Sequence, residues 1–225
     1  MSKEELYEAA RYGDSAKVRE LAPKLTQADI DWRNPDKFGM TALMEVSIQG
    51  HSEVMKVLLD NNASVDIQSN DGDTALMGAS INVHLEAMKV LLDNNASVNI
   101  QDDNGWTALM LASINDHSAI VTMLICKGAD VNVKNNEGKT AKELAKNNDI
   151  KKLIVIEEQW QRRKHYVMFL STLKKAVAPP ATSSVVVTAP PLRSSSRDPN
   201  MYTTDSVQEE VFNMPENSRH ICSFL

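Results

Sequence analysis

Apolar and polar positions recur along this chain every 33 residues. Glycine stands at Gly39, Gly72, Gly105 and Gly138, with threonine two places later at Thr41, Thr74, Thr107 and Thr140. Alanine follows at Ala42, Ala75, Ala108 and Ala141, and histidine recurs at His51, His84 and His117. The string MKVLLDNNASVDIQ, ending at Gln68, returns with one change as MKVLLDNNASVNIQ, ending at Gln101. Within each unit the pattern predicts the same elements. The glycine permits a tight turn, and the threonine hydroxyl caps a short apolar helix such as Ala75 to Ala79. A histidine-containing turn leads to a second helix, such as Leu85 to Asp93, where Val90 and Leu91 sit at helical spacing from Ala87. That helix stops at Asn62, Asn95 or Gly128, residue types that tolerate a left-handed backbone. An extended segment then runs to the next glycine.

One such unit is too small to bury its own apolar face, so neighbouring units must stack and share a core. Leu43, Val57, Leu58, Leu76, Val90, Leu91, Leu109 and Leu124 are the expected core. The period, the Gly-x-Thr-Ala-Leu starts, the Leu-Leu-x-x-Asn stretches and the Gly-Ala-Asp-Val-Asn ending at Gly128 to Asn132 resemble ankyrin repeats. The resemblance covers about residues 5–157. It implies an all-α ankyrin-repeat solenoid of paired helices with β-hairpin-like fingers. A degenerate N-terminal unit, marked by Ala9, Ala10, Gly13 and Val18, precedes four units in register, and the repeat domain is placed at 1–157. Lys142 and Glu143 replace apolar residues in the last unit, as a solvent-facing end requires. The family commonly has proline and histidine where this chain has Ala-Leu-Met. Met44, Met77 and Met110 therefore forgo the bond between units that such a histidine makes.

The resemblance also implies a function, binding of a partner protein by an adaptor or scaffold. Partners of such domains dock on the finger tips and on the exposed side of the first helices, the concave face. Carried over by motif, the finger residues are Phe38, Met40, Asp73 and Trp106, and the helix residues are Ile48, Ile81, Asn82, Ile114 and Asn115. Apolar periodicity alone leaves open whether the row Ile48, Ile81, Ile114 faces a partner or the core, and Trp106 also fits a structural finger filler.

Charge narrows the partner class. Residues 1–156 carry 16 Lys and Arg against 23 Asp and Glu, a net of −7. An acidic body lacks the clustered cations that phosphate-backbone binding needs, so no nucleic-acid partner is expected. No glycine-rich phosphate loop, cysteine pair or His-Glu-x-x-His string occurs. The three histidines are a repeat apart, too far to share an ion. The expectation is a non-enzymatic monomer with no cofactor and no metal. The first residues, MSKEELYEAA, lack the apolar core of a signal peptide, which points to a cytoplasmic location.

Residues 158–177 predict a basic amphipathic helix capping the last repeat. Tyr166, Phe169, Leu170, Leu173 and Val177 share one helical face, and Arg162, Arg163, Lys164, Lys174 and Lys175 supply the charge. Residues 178–225 are rich in Pro, Ser and Thr and predict a disordered tail. Its end, Cys222-Ser223-Phe224-Leu225, fits two incompatible readings, beside a third in which it is an unrecognised tail. As a C-a-a-X box, Cys222 would be prenylated, and the alternative function is a membrane-tethered regulator localised by this lipid and the basic helix. As a PDZ ligand, Ser223 and the free carboxylate of Leu225 would join a sheet edge. The intact mass of protein made in eukaryotic cells separates the two. A geranylgeranyl adduct with three residues missing is the expected result for the lipid reading, and an unmodified Leu225 terminus rejects it.

Overall fold

The structure, a computed structural model, describes residues 2–161. The basic face at 162–177, the tail at 178–225 and Cys222 lie outside the described residues. The chain forms one unit over residues 1–159. It begins with α1 (Lys3–Arg11) and α2 (Ser15–Leu21), followed by a 3-10 turn at Ala22–Lys24 and the short α3 (Gln27–Ile30). Three helix pairs come next. They are α4 (Ala42–Gln49) with α5 (Ser52–Asp60), α6 (Ala75–Ile81) with α7 (Leu85–Asp93), and α8 (Ala108–Ile114) with α9 (Ser118–Cys126). The last unit has α10 (Ala141–Leu144) and α11, helical from 148 to 161 and unbroken through 157/158.

Local chemistry sets these boundaries. Thr41, Thr74 and Thr107 each accept a hydrogen bond on the side-chain oxygen from the backbone N–H three residues on, all at 3.3 Å. Thr140 and Glu143 cap each other reciprocally. The second helices end in left-handed residues, Asn62, Asn95 and Gly128. All eight expected core residues are buried. The first helices also bury a polar residue each, Ser47, Ser80 and Ser113, whose hydroxyls donate to the carbonyls of Leu43, Leu76 and Leu109 at 2.6–2.7 Å. A hydroxyl paired within its own helix is neutral enough for the interior.

The fingers are hairpin-like turns with little strand character. The single β-bridge among the described residues joins Asn34 and Met40 in the first. Side chains at the base hold the others. Ser69 Oγ accepts from the N–H groups of Asp71 and Asp73, Asp102 Oδ1 from Asn104 and Trp106, and Asn135 Oδ1 from Glu137 and Lys139. Each finger then grips the one before it, as the N–H groups of Asn70, Asp103 and Asn136 donate to Phe38, Asp71 and Asn104 carbonyls.

Histidines join neighbouring units in place of the missing family histidine. His84 Nε2 donates to the Ile48 carbonyl at 3.0 Å, and His117 Nδ1 to the Ser80 carbonyl at 2.9 Å. The His84 ring lies against Gly50, where an added Cβ would come within 2.6 Å of it.

Both ends of the stack are closed by ionic contacts. At the first junction, buried Tyr7 donates to Glu45 Oε2 at 3.2 Å, and Arg11 Nε and Gln49 Nε2 reach Glu45 Oε1 at 3.5 and 3.4 Å. Burial, followed by the Glu45 charge, pushes the Tyr7 hydroxyl well above its ordinary pKa. At the other end Lys142 is not simply solvent-facing. It is half-buried and donates to both carboxylate oxygens of buried Glu158 at 2.8 and 2.9 Å. Removing the lysine leaves that carboxylate without its cation. Lys142→Met is expected to cost about 1–3 kcal/mol, below the fully buried case because Lys142 keeps solvent contact. Arg19→Met breaks an exposed pair with Glu53 and is expected to cost under about 0.5 kcal/mol. Urea denaturation of both variants checks the difference, and equal losses would contradict it.

Candidate functional site

The nine residues expected to meet a partner do not form one uniform surface. Phe38 closes the 3-10 turn Pro35–Lys37 at the first finger tip, with φ +53° and 67 % of its surface exposed. Met40 is half-buried, its carbonyl accepting from Asn34 N–H, and it packs on the core. Trp106 likewise packs on the core, and its backbone N–H donates to Asp102 Oδ1 at 2.7 Å, so the filler role takes much of this residue.

The isoleucine row splits. Ile48 is half-buried, and Gly78 in the next unit makes the room, since a Cβ there would stand 2.8 Å from Ile48 Cγ1. One repeat on, the residue in the register of Gly78 is Leu111, which packs on the core. Ile81 is 42 % exposed. Ile114 is half-buried. Asn82 and Asn115 are exposed, but each folds its Nδ2 back on its own helix, donating to the carbonyls of Gly78 and Leu111 at 2.9 Å. Their side-chain oxygens remain available as acceptors.

Asp73 is half-buried in the second finger. Burial raises its pKa above the ordinary carboxylate value, and the charges of Asp102, Asp71 and Asp103 add to the rise. No ion pair among the described residues involves any of these four aspartates. Fingers two and three therefore present negative charge that no cation among the described residues pairs with.

A further pair of neighbours was not singled out by the repeat pattern. Val83 lies between α6 and α7 at φ +60°, 46 % exposed, and Leu85 opens α7, 42 % exposed. Five non-glycine residues adopt positive φ among the described residues. Three are Asn62, Asn95 and Asp116, types that tolerate it, and the others are Phe38 and Val83. For a bulky or β-branched residue this backbone costs about 1–2 kcal/mol. Both such residues point apolar side chains outward. Internal register carried the signal for Val83, because Gly50 and Asp116 hold the same place in the adjoining units.

Among the described residues no group of histidine, cysteine and carboxylate side chains is arranged to hold a metal ion. His84 and His117 are committed to bonds between repeats. The family model for ankyrin repeats matches the chain in three overlapping copies, at residues 6–102, 64–135 and 84–159, which together span more than half of its length.

The raised pKa of Asp73 sets a pH dependence. A carboxyl that binds its proton more tightly in the folded chain favours folding below the ordinary carboxylate pKa, and that contribution is lost as pH rises through the folded value. Asp73→Asn removes the repulsion at neutral pH. The variant is expected to exceed the wild type there by about 0.5 kcal/mol, the scale of a solvent-screened charge interaction. The advantage is expected to shrink as pH falls into the carboxylate range, and urea titrations at neutral and acid pH measure it.

Proposed function

Because the chain belongs to the ankyrin-repeat family, whose members generally serve as protein–protein interaction modules, we propose that it is a non-enzymatic adaptor or scaffold that holds a partner protein against its fingers and the exposed side of its first helices. The observation that carries this reading is Phe38. Its aromatic ring is the most exposed at any finger, and it sits on a backbone that glycine would adopt without strain. A large apolar side chain held at such a cost is explained by an interface in which it becomes buried, and aromatic anchors dominate binding energy. Ile81 and the free oxygens of Asn82 and Asn115 extend the surface along the first helices. Trp106 contributes the exposed part of its ring, and the uncompensated aspartates of fingers two and three favour a partner with complementary positive charge.

No helix among the described residues is long and apolar enough to cross a membrane. The alternative, a membrane-tethered regulator localised by a prenylated Cys222 or a PDZ-ligand tail and by the basic helix, is tested for its lipid by the intact-mass measurement.

The reading is tested with Phe38→Gly. The substitution removes the anchor and also the backbone strain, so the variant is expected to melt no lower than the wild type. Proteins captured by the wild type from a cell extract are expected to bind the variant about 30-fold more weakly, the loss typical of one hot-spot residue. Equal capture by a folded Phe38→Gly protein would place the interface elsewhere.

A further inference from the structure

The turn between the first and second helices follows one rule across the repeats, and one repeat breaks it twice. The left-handed position is Gly13, Gly50 and Asp116 in three units and Val83 in the fourth. The residue opening the second helix is Ser15, Ser52 and Ser118 in three units and Leu85 in the fourth. Both departures replace a small or polar residue by an aliphatic one, and both side chains reach solvent beside exposed Ile81. Core packing does not account for them, because neither belongs to the buried cluster or the residues packed on it. The backbone at Val83 is less favourable than it would be with the glycine used at Gly50.

Charged groups border this patch unevenly. Glu86 follows Leu85 and shares Lys56 with Glu53, at 3.5 and 3.4 Å. Lys89 lies one helical turn beyond Leu85. Asp116 occupies the Val83 position of the next unit, and its carboxylate enters no ion pair among the described residues. Three carboxylates thus face two ammonium groups, within a stretch of net charge −7 over residues 1–156. A partner matching this rim carries positive charge around its apolar contact.

We propose that Ile81, Val83 and Leu85 form an anchoring site for a partner segment that presents a bulky apolar side chain flanked by lysine or arginine. The site rests on the reading of the chain as a protein-binding module, and it lies at the end of the first-helix layer away from the fingers. It extends the contact surface from the concave face around the turn between the helices.

The test uses peptides of defined origin and the full chain. Phage-displayed random dodecapeptides are selected on the wild type and depleted on Val83→Gly/Leu85→Ser, the residues found at Gly50 and at Ser52 and Ser118. Enriched peptides are expected to carry an aliphatic or aromatic residue between basic ones. A synthetic copy of the most enriched peptide is expected to bind the wild type about tenfold more tightly than the double variant, as loss of an anchor implies, and to weaken as salt is raised. The double variant is expected to melt no lower than the wild type, and Val83→Asn, which introduces a residue tolerant of this backbone, is expected to reproduce the binding loss. Equal binding to both proteins, enrichment without basic residues, or a double variant and a Val83→Asn protein that both melt lower would overturn the proposal. Concentration-dependent dimerisation of the wild type that the double variant abolishes would assign the patch to a second copy, which also overturns it. Peptides that lose affinity for Phe38→Gly but bind the double variant normally would leave the finger reading standing while rejecting this site.

Discussion

A helix pair of seven and nine residues cannot hide its own apolar side chains. Leu43, Leu76 and Leu109 are buried because a neighbouring repeat lies against each of them. Everything else in this unit answers to that dependence. The step from one repeat to the next has to be the same each time, so the contacts that define it recur at the same register. They are the finger N–H to carbonyl bonds, the bonds from the histidines that precede α7 and α9 to the first helix of the preceding unit, and the glycines at Gly72 and Gly105 that let backbones approach. Stability in such a stack is close to a sum of unit and interface terms, so an end without a neighbour is its weak point.

The two ends meet this demand in a way that the middle does not. At both, a charge replaces an apolar contact. Glu45 is in the register of Gly78 and Leu111, yet it is buried under Tyr7 and Arg11 of the first unit. Lys142 reaches across to Glu158 on α11. A buried ion pair contributes less net stability than a hydrophobic contact of similar size, but a mispaired one is costly. Such pairs discriminate between correct and incorrect neighbours, which suits a junction where the repeat motif itself no longer dictates what comes next.

Most of the frame was legible in the sequence because it depends on residue types with one physical use. Threonine at the N-cap and asparagine or glycine at the left-handed C-cap gave the helix limits, and the leucine spacing gave the core. The site was less legible, and the isoleucine row shows why. Ile48, Ile81 and Ile114 are identical by period, yet only Ile81 is exposed, while Ile48 packs into the room beside Gly78 and Ile114 is half-buried. A periodic pattern reports the average repeat, whereas exposure at one repeat is set by its neighbour. Asn82 and Asn115 were similarly readable as polar surface, but the bond each makes to its own helix depends on a rotamer that no spacing specifies. The histidines carried a reading of structural use, and their partners, carbonyls in the preceding unit, required the fold.

The departures from the average are where function can be sought, and the strain gives them a scale. A folded domain is stable by roughly 5–15 kcal/mol, and Phe38 and Val83 each forgo about 1–2 kcal/mol that glycine would recover. Elsewhere among the described residues, the left-handed positions are held by glycine, asparagine or aspartate. These two lie toward opposite ends of the first-helix layer, Phe38 in the finger before α4 and Val83 in the turn after α6. A seven-residue helix spans about 10 Å, so the two side chains are far enough apart to act independently unless one partner bridges them. Sites at such separation with no shared contacts are additive within a few tenths of a kcal/mol. A non-additive loss of affinity in a chain carrying both Phe38→Gly and Val83→Gly would therefore show that a single partner runs from the finger tips across Ile81 and Asn82 to the helix turn. Additive losses would describe two anchors that work separately on the same stack.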